Sequence, residues 1–458
     1  MRNPLLVPDL KELIHGGETA ALREFFAEYH PARVAEVVED LEPTEGDAIF
    51  GLLDPRHQAE VMGYLDDEAQ VRLAEAMTPE VAAALLHIMS HDERADLFKR
   101  LDEDHASAVS RHLAHAERED IRRLSSYEPG TAGAVMTTDY VTLPPELTVR
   151  EALDRIRLEA PDRETIYYNY VVDEKRRLLG LVSLKALILA RPRAHIAEIM
   201  KRDIVLARVD DDQEAVAQKI EQYDLIAIPI LDAADMLVGI VTHDDAMDIL
   251  KREQTEDILR FGGVSADREA DDAPYWQSSL IGVTRRRIGW LLMLFIAENF
   301  TYPVFERFKW LESPRYYPAL GFFVTLLIGT GGNAGSQTVG TIIRGLSLGE
   351  IGRGDMLKVL SREVLTGLML GLLLGAFGLM YAHFYRHQAW GLSAVIALTL
   401  LSICVWANFV GAMVPLLAKR LGADPAVISA PFISTLVDAT GLVIYYSIAI
   451  LILIRLGW

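Results

Sequence analysis

Apolar and polar positions follow two regimes along this chain. Up to about residue 284 apolar residues come in short bursts between charged runs; beyond it they form long segments. In the first regime the pairs Val61/Leu65, Leu73/Met77 and Leu85/Met89 lie four apart, the spacing of one helix face. Between them Asp54-Pro55, Asp66-Asp67, Thr78-Pro79, Ser90-His91 and Asp102-Glu103 recur every twelve positions. Asp, Ser and Thr accept hydrogen bonds from the free amides of a helix start, and Pro fits its first turn. The period predicts short helices stacked into a superhelix over residues 1–130, each burying its face on its neighbours.

A second repeat follows. Val135-Met136-Thr137 returns as Ile199-Met200-Lys201, 64 residues on. Leu178-Leu179-Gly180-Leu181-Val182-Ser183 returns as Leu237-Val238-Gly239-Ile240-Val241-Thr242, 59 residues on. Each copy orders an extended segment, a helical run (Val149–Leu158; Gln213–Tyr223), a strand ending in Asp (Val171–Asp173; Ile228–Asp232), a turn, a strand and a helix. This predicts two α/β modules over 131–195 and 196–244. A charged helix is expected over 245–263, ended by Gly262-Gly263. A polar linker follows over 264–284, clearest at Ser265–Pro274.

Five apolar segments fill the rest, at about 288–310, 317–343, 358–384, 390–418 and 425–455. Each is long enough to cross hydrocarbon, which takes ~20 helical residues. The first is weakened by Glu298, Asn299 and Pro303. The second contains Gly329-Thr330-Gly331-Gly332-Asn333-Ala334-Gly335-Ser336-Gln337, which predicts a loosened helix, because glycine is a poor helix former and irregular backbone at membrane depth must face protein or a wet cavity. The third carries Gly367, Gly371 and Gly375, a close-packing pattern that fits a subunit contact. The fourth places Asn408, Gly411 and Pro415 on one side. The fifth holds Asp438, the only acid between Pro425 and Ile454. A carboxylate there costs about 2.5–3.5 kcal/mol on insertion scales and normally marks an ion or proton path. Pro431, Thr435, Thr440 and Gly441 flank it with loosening and hydroxyl residues.

Charge separates the same two regimes. Residues 285–458 hold 14 Lys+Arg and 8 Asp+Glu of the chain's 45 and 65. The front part is therefore strongly acidic, which disfavours nucleic acid and suits hard divalent cations. With the N-terminus inside, Arg285–Arg287, Arg344, Arg353, Lys358, Arg362, Lys419 and Arg420 lie on the inner side. Arg307, Lys309, Arg315, Arg386 and Arg455 lie outside, which satisfies the positive-inside rule and puts the C-terminus outside. Met1–Leu10 has no basic stretch before an apolar core, so no leader is expected. The single cysteine, Cys404, excludes an intrachain disulfide and a cysteine-based metal site. No His-Glu-x-x-His, Gly-x-Ser-x-Gly or phosphate loop is present, which speaks against an enzyme.

The module order and the Leu-x-Gly-x-Val-Ser/Thr strands resemble tandem CBS domains. The whole succession resembles the MgtE family of magnesium channels: an all-α helical superhelix, α/β tandem CBS domains, a linking (plug) helix and a five-helix transmembrane domain. The most specific matches are Gly331–Gln337, Asn408 through Met413, and Pro431 through Gly441. The resemblance implies a homodimer with its pore on the twofold axis. Asp438 from each subunit would hold hydrated Mg²⁺, and Gly331, Gly332, Asn333, Asn408, Ser434 and Thr435 would line the path. It further implies Mg²⁺ sensing in the cytoplasm by Glu60, Asp92 and Asp96, by Asp212, Glu214 and Asp224, and by Asp245, Asp248, Glu253 and Glu256, with Asp424 at the pore mouth. CBS pairs bind adenosine nucleotides through Ser/Thr-x-x-Asp. The second module keeps this as Thr242-His243-Asp244-Asp245; the first has Ser183-Leu184-Lys185-Ala186, so ATP is expected at the second if at either. Ala334, Ser336 and Ala430 depart from the family pattern around the pore. The implied function is Mg²⁺ uptake closed by cytoplasmic Mg²⁺. The alternatives are a broader carrier passing Co²⁺, Mn²⁺ or Ni²⁺, and a nucleotide-sensing membrane regulator.

Overall fold

The computed structural model describes residues 6–265, 279–313, 317–352 and 354–455. They fall into two compact units, Met1–Glu253 and Gln254–Trp458.

The first unit opens with ten helices: α1 (Leu6–Gly16), α2 (Thr19–Ala27), α3 (Pro31–Asp40), α4 (Pro43–Phe50), α5 (Pro55–Met62), α6 (Asp67–Ala76), α7 (Pro79–Ile88), α8 (His91–Arg100), α9 (Glu103–Ser110) and α10 (His115–Ser125). The twelve-residue marks are their starts. Asp54, Asp66, Thr78, Ser90 and Asp102 each occupy the N-cap of a helix from α5 to α9. The Asp54 carboxylate accepts from the amides of Arg56 and His57, and that of Asp66 from Ala69. Val61, Leu65, Leu73, Leu85 and Met89 are buried in one continuous core, with Met77 packed against it.

Two three-stranded sheets follow, each with its first pair parallel and its second antiparallel. The first holds β1 (Tyr140–Leu143), β2 (Thr165–Val172) and β3 (Leu178–Ser183), with α11 (Val149–Glu159), α12 (Leu184–Leu189) and α13 (Ile196–Ile199). The second holds β4 (Ala207–Arg208), β5 (Ala227–Leu231) and β6 (Leu237–Thr242), with α14 (Gln213–Gln222) and then α15 (His243–Phe261). The extended entry segments are exchanged. Thr137, entering the first module, pairs with Ile240 of β6, and Lys201, entering the second, pairs with Leu181 of β3. A Cβ on Gly239 would lie 2.5 Å from Met136 Sδ, and one on Gly180 would lie 2.6 Å from Met200 Sδ. Each repeat glycine therefore makes room for the other copy's repeat methionine.

The second unit takes the end of α15 and continues with α16 (Leu280–Glu298), α17 (Thr301–Phe308), α18 (Gly321–Ser347), α19 (Met356–Met380), α20 (Trp390–Arg420) and α21 (Ala430–Ala449). Among the described residues five segments are long and apolar enough to cross a membrane: Leu280–Glu312, Pro318–Ser347, Met356–Tyr385, Trp390–Arg420 and Ala430–Arg455. The first begins eight residues before the apolar run, because the Arg285–Arg287 triplet is carried within the helix. Most of the expected linker, with Arg315 and Arg353, lies outside the described residues. The helix α15 ends at Phe261, and Gly263 takes φ +72°, a left-handed cap conformation that glycine adopts without a Cβ clash.

Two expectations about the membrane glycines change. The run at 329–337 is not a loosened segment but the middle of the unbroken helix α18. Its glycines are spent on close approach: a Cβ on Gly331 would lie 2.4 Å from Ile403 Cγ2, and one on Gly335 would lie 3.0 Å from Ile433 Cγ2. Packing on both neighbouring helices outweighs a propensity cost of about 1 kcal/mol per glycine. The pattern at 367, 371 and 375 serves a contact within the chain. There α19 lies on the backbone of α20 at Cys404, Leu401 and Ala397.

Candidate ion pathway and regulatory acids

The helix α21 starts cleanly. Ser429 is its N-cap and accepts from the Phe432 amide, and Pro431 sits in the first turn, where its missing N–H costs nothing. Thr435 donates to the Pro431 carbonyl at 3.1 Å and Thr440 to that of Leu436 at 2.8 Å, so both hydroxyls stitch the helix. Trp406 of α20 donates to Thr440 Oγ1 at 2.8 Å.

Asp438 lies about 13 Å along the helix from Ser429, at 1.5 Å per residue, near the middle of the apolar segment Ala430–Arg455. One of its oxygens, Oδ1, is buried with no hydrogen-bond partner. It faces Gly332 of α18: a Cβ there would come within 2.4 Å of Ser434 Oγ and 3.4 Å of Asp438 Oδ1. Gly331, Gly332, Ser434 and Asp438 thus form one contact between α18 and α21. Asn333 is on the exposed side of α18, one turn before Gln337 on the same stripe. Ser336 donates to the Ala430 carbonyl at 3.3 Å, tying the two helices where this chain departs from the family pattern. Asn408 is elsewhere. It is buried against Gly367 of α19 and donates to Glu363 at 3.4 Å, while Gly411 faces α18 at Gly335 and Thr338. Asn408 and Gly411 lie about 60° apart around α20, and that offset turns one to α19 and the other to α18.

In the first unit the acids expected to sense Mg²⁺ divide. Asp92, in the first turn of α8, has one buried carboxylate oxygen without a partner. Burial raises its carboxyl above the ordinary range, and Asp96 adds to the shift. Burial and then Asp92 also raise Asp245, whose carboxylate accepts from Thr242 Oγ1. Three acids that the sequence reading missed share this neighbourhood. Burial, with Asp92 next, pushes Glu93 up to about 7. Burial, then Asp92, Glu93 and Asp244, pushes Glu164 up to about 8. The signal for Glu93 and Asp244 was adjacency to predicted acids; Glu164 arrives from the bend just before β2 and had none.

The other expected acids have partners of their own or lie exposed, and of them Asp96 acts on Asp92. Glu60 is exposed beside Arg56 at 3.5 Å, and Asp96 is 3.2 Å from Lys99. Asp212 caps α14 by accepting from the Ala215 amide; Glu214 accepts from Gln218 on the same helix. Asp224 takes φ 50° after α14, and Asp248 is exposed on α15. Glu253 accepts from Gln213 at 2.7 Å. Among the described residues no three His, Cys, Asp or Glu side chains are arranged to hold a metal ion outright. The orphaned oxygens of Asp92 and Asp438 still fit a cation that keeps much of its water, as Mg²⁺ does.

In the second unit Arg260, near the end of α15, pairs with both Glu256 and Asp424. Asp424 also caps the turn before α21 by accepting from the Ala426 amide at 2.8 Å. Ser347 donates to Asp257 at 3.0 Å. A Cβ on Gly340 would lie 3.2 Å from Phe261 Cζ.

An acidic helical domain, paired α/β modules and five helices long and apolar enough to cross a membrane define a multi-pass membrane protein with a large N-terminal part. Comparison with known proteins gives the family. A model described as divalent cation transporter matches residues 324–448, one described as MgtE intracellular N domain matches 29–130, and the CBS domain model matches 132–193 and 196–252. The magnesium transporter MgtE of Thermus thermophilus is 38% identical over 98% of both chains. That of Enterococcus faecalis is 36% identical over 73% of this chain and 71% of its own. Two solved structures align with a TM-score of 0.51. One is the soluble part of a magnesium transporter, at 34% identity over 54% of this chain and 97% of its own. The other is the cytosolic domain of the Mg²⁺ channel MgtE in complex with ATP, at 37% identity over 53% and 99%. The chain belongs to the MgtE family.

Proposed function

We propose that this protein carries Mg²⁺ passively into the cell across the cytoplasmic membrane and is closed by Mg²⁺ bound to its own cytoplasmic acids. The observation that carries the reading is the orphaned Asp438 oxygen against Gly332 at membrane depth. A carboxyl left there without a partner either holds a proton or is completed by a cation or its water, and in this proposal the occupant is the cation. Mg²⁺ dehydrates reluctantly, so a few carboxylates acting through bound water suit it better than a direct cage.

The working unit in this proposal is a homodimer in lipid. Two observations support it: Asp438 is only half-buried in the single chain, and α16 has no buried residue although it is long enough to span. The domains divide as 1–130, 131–195, 196–244, 245–263 and 264–284, followed by the pore domain at 285–458. The basic residues favour a cytoplasmic front half and an outer C-terminus. Gating follows from repulsion: Asp92, Glu93, Glu164, Asp244 and Asp245 oppose one another as they ionise, and a divalent cation that takes the place of their protons compensates them, so Mg²⁺ favours the compact state. The ATP-bound relative extends the proposal to adenine nucleotide at the module pair, where Thr242 and Asp245 are the candidate contacts.

The test is Mg²⁺ flux into liposomes holding the purified protein, with Co²⁺, Mn²⁺ and Ni²⁺ as competitors. Saturable Mg²⁺ entry that falls as Mg²⁺ on the cytoplasmic face rises is expected. No entry above empty liposomes would overturn the proposal; equal entry of all four ions would shift it to a general divalent carrier.

A further inference from the structure

Two of the acids that family resemblance marks for Mg²⁺, Glu256 on α15 and Asp424 before α21, are bridged by the chain's own cation. The Arg260 guanidinium pairs with both. The contact does not stand alone. One turn earlier Asp257 accepts from Ser347 at the end of α18, and Phe261 lies on Gly340 of the same helix. Gly263, just past the helix, approaches Ser429 and Pro431 at the start of α21. The last turn of α15 is thus seated on the inner ends of two membrane helices by one apolar side chain, one hydrogen bond and one shared positive charge. Without Arg260, Glu256 and Asp424 would face each other across that seat, with Asp257 adjoining, and like charges at such a distance repel.

We infer that Arg260 is a positioning residue that serves as a built-in counter-ion, filling between Glu256 and Asp424 the place a divalent cation would otherwise have to take. This deepens the proposed gating and rests on it for its consequence: the seat holds without metal, and the demand for Mg²⁺ falls on the acids of the first unit. The guanidinium suits the task because its planar fork can serve two carboxylates at once, and no pH in the working range removes its charge. The three side chains are partly exposed, so a single such pair contributes little; the effect comes from a cation shared by two acids and from the repulsion that its loss uncovers.

The test is backbone hydrogen exchange over residues 254–263 of the full-length protein in lipid nanodiscs, in EDTA and in millimolar Mg²⁺. Wild type is expected to be protected in both. Arg260→Gln should exchange roughly tenfold faster in EDTA, the change that about 1.4 kcal/mol produces, and should recover protection in Mg²⁺. Arg260→Lys, which keeps the charge, should stay near wild type and controls for a folding defect. The double variant Arg260→Gln/Asp424→Asn, with one carboxylate neutralised, should regain protection in EDTA and respond little to Mg²⁺. Equal protection of Arg260→Gln and wild type in EDTA, or a wild type protected only by Mg²⁺, overturns the inference. Loss of protection in Arg260→Gln without transport by the wild type would instead count against the Mg²⁺ channel reading and leave Arg260 in place.

Discussion

At the scale of single residues, Asp438 and Gly332 make the sharpest demands. Asp438→Asn keeps the shape and removes the charge, so Mg²⁺ uptake into a strain lacking other importers should drop to background while the protein still reaches the membrane. Uptake at the wild-type rate would remove this carboxylate from the path. Gly332→Ala would put a methyl 2.4 Å from Ser434 Oγ, inside contact distance. Overpacking of this kind costs about 1–3 kcal/mol, so the variant should unfold at lower temperature in detergent and conduct less. The sequence made Asp438 visible because a lone acid in an apolar run is rare. It could not show that Asn408 turns to Glu363, because both lie in apolar segments and only the packing of α19 on α20 joins them.

At the scale of elements, the exchange between the two modules is testable through its glycines. Gly239→Ala should destabilise the soluble half by about 1–3 kcal/mol, and Met136→Ala in the same molecule should recover part of the loss by clearing Sδ. Chemical denaturation of residues 1–253 and its variants would measure both. The acid cluster predicts a pH dependence. Glu93 and Glu164 stand raised, to about 7 and about 8, from an ordinary 4.5. The folded state therefore holds protons that the unfolded chain has released, and stability falls as pH rises through that window. In EDTA the thermal midpoint of the soluble half should decline between about pH 5 and pH 8, and millimolar Mg²⁺ should flatten the decline. A midpoint that rises with pH, or is indifferent to Mg²⁺, would contradict the cluster's role. Helix starts were legible at this scale because caps are local chemistry; the glycine run of α18 was misread because its reason is a neighbour, not its own sequence.

At the scale of the whole molecule, the first 130 residues bring Asp92 and Glu93 to acids of the CBS modules. Deleting them removes Asp92 and Glu93, two of the five acids in the repelling set. Mg²⁺ flux should then stay high at cytoplasmic Mg²⁺ concentrations that shut the full-length protein; an unchanged closing curve would place the sensor elsewhere. The division into an acidic front half and an apolar rear half was written in composition, since solvation energies act residue by residue.

Local and periodic information gave the helical front with its five twelve-residue helix starts, the doubled module, the five apolar segments and the isolated Asp438, because capping, repeat identity and hydrophobicity depend on a residue and its near neighbours. Folding alone decided the crosswise exchange of the modules' entry segments, the Gly332–Asp438 contact, the arrival of Glu164 beside Asp92 and the seating of Arg260 between Glu256 and Asp424. Each of those joins side chains far apart in sequence, and their meeting is fixed by which surfaces pack together, a property of the assembled chain that no stretch of it contains.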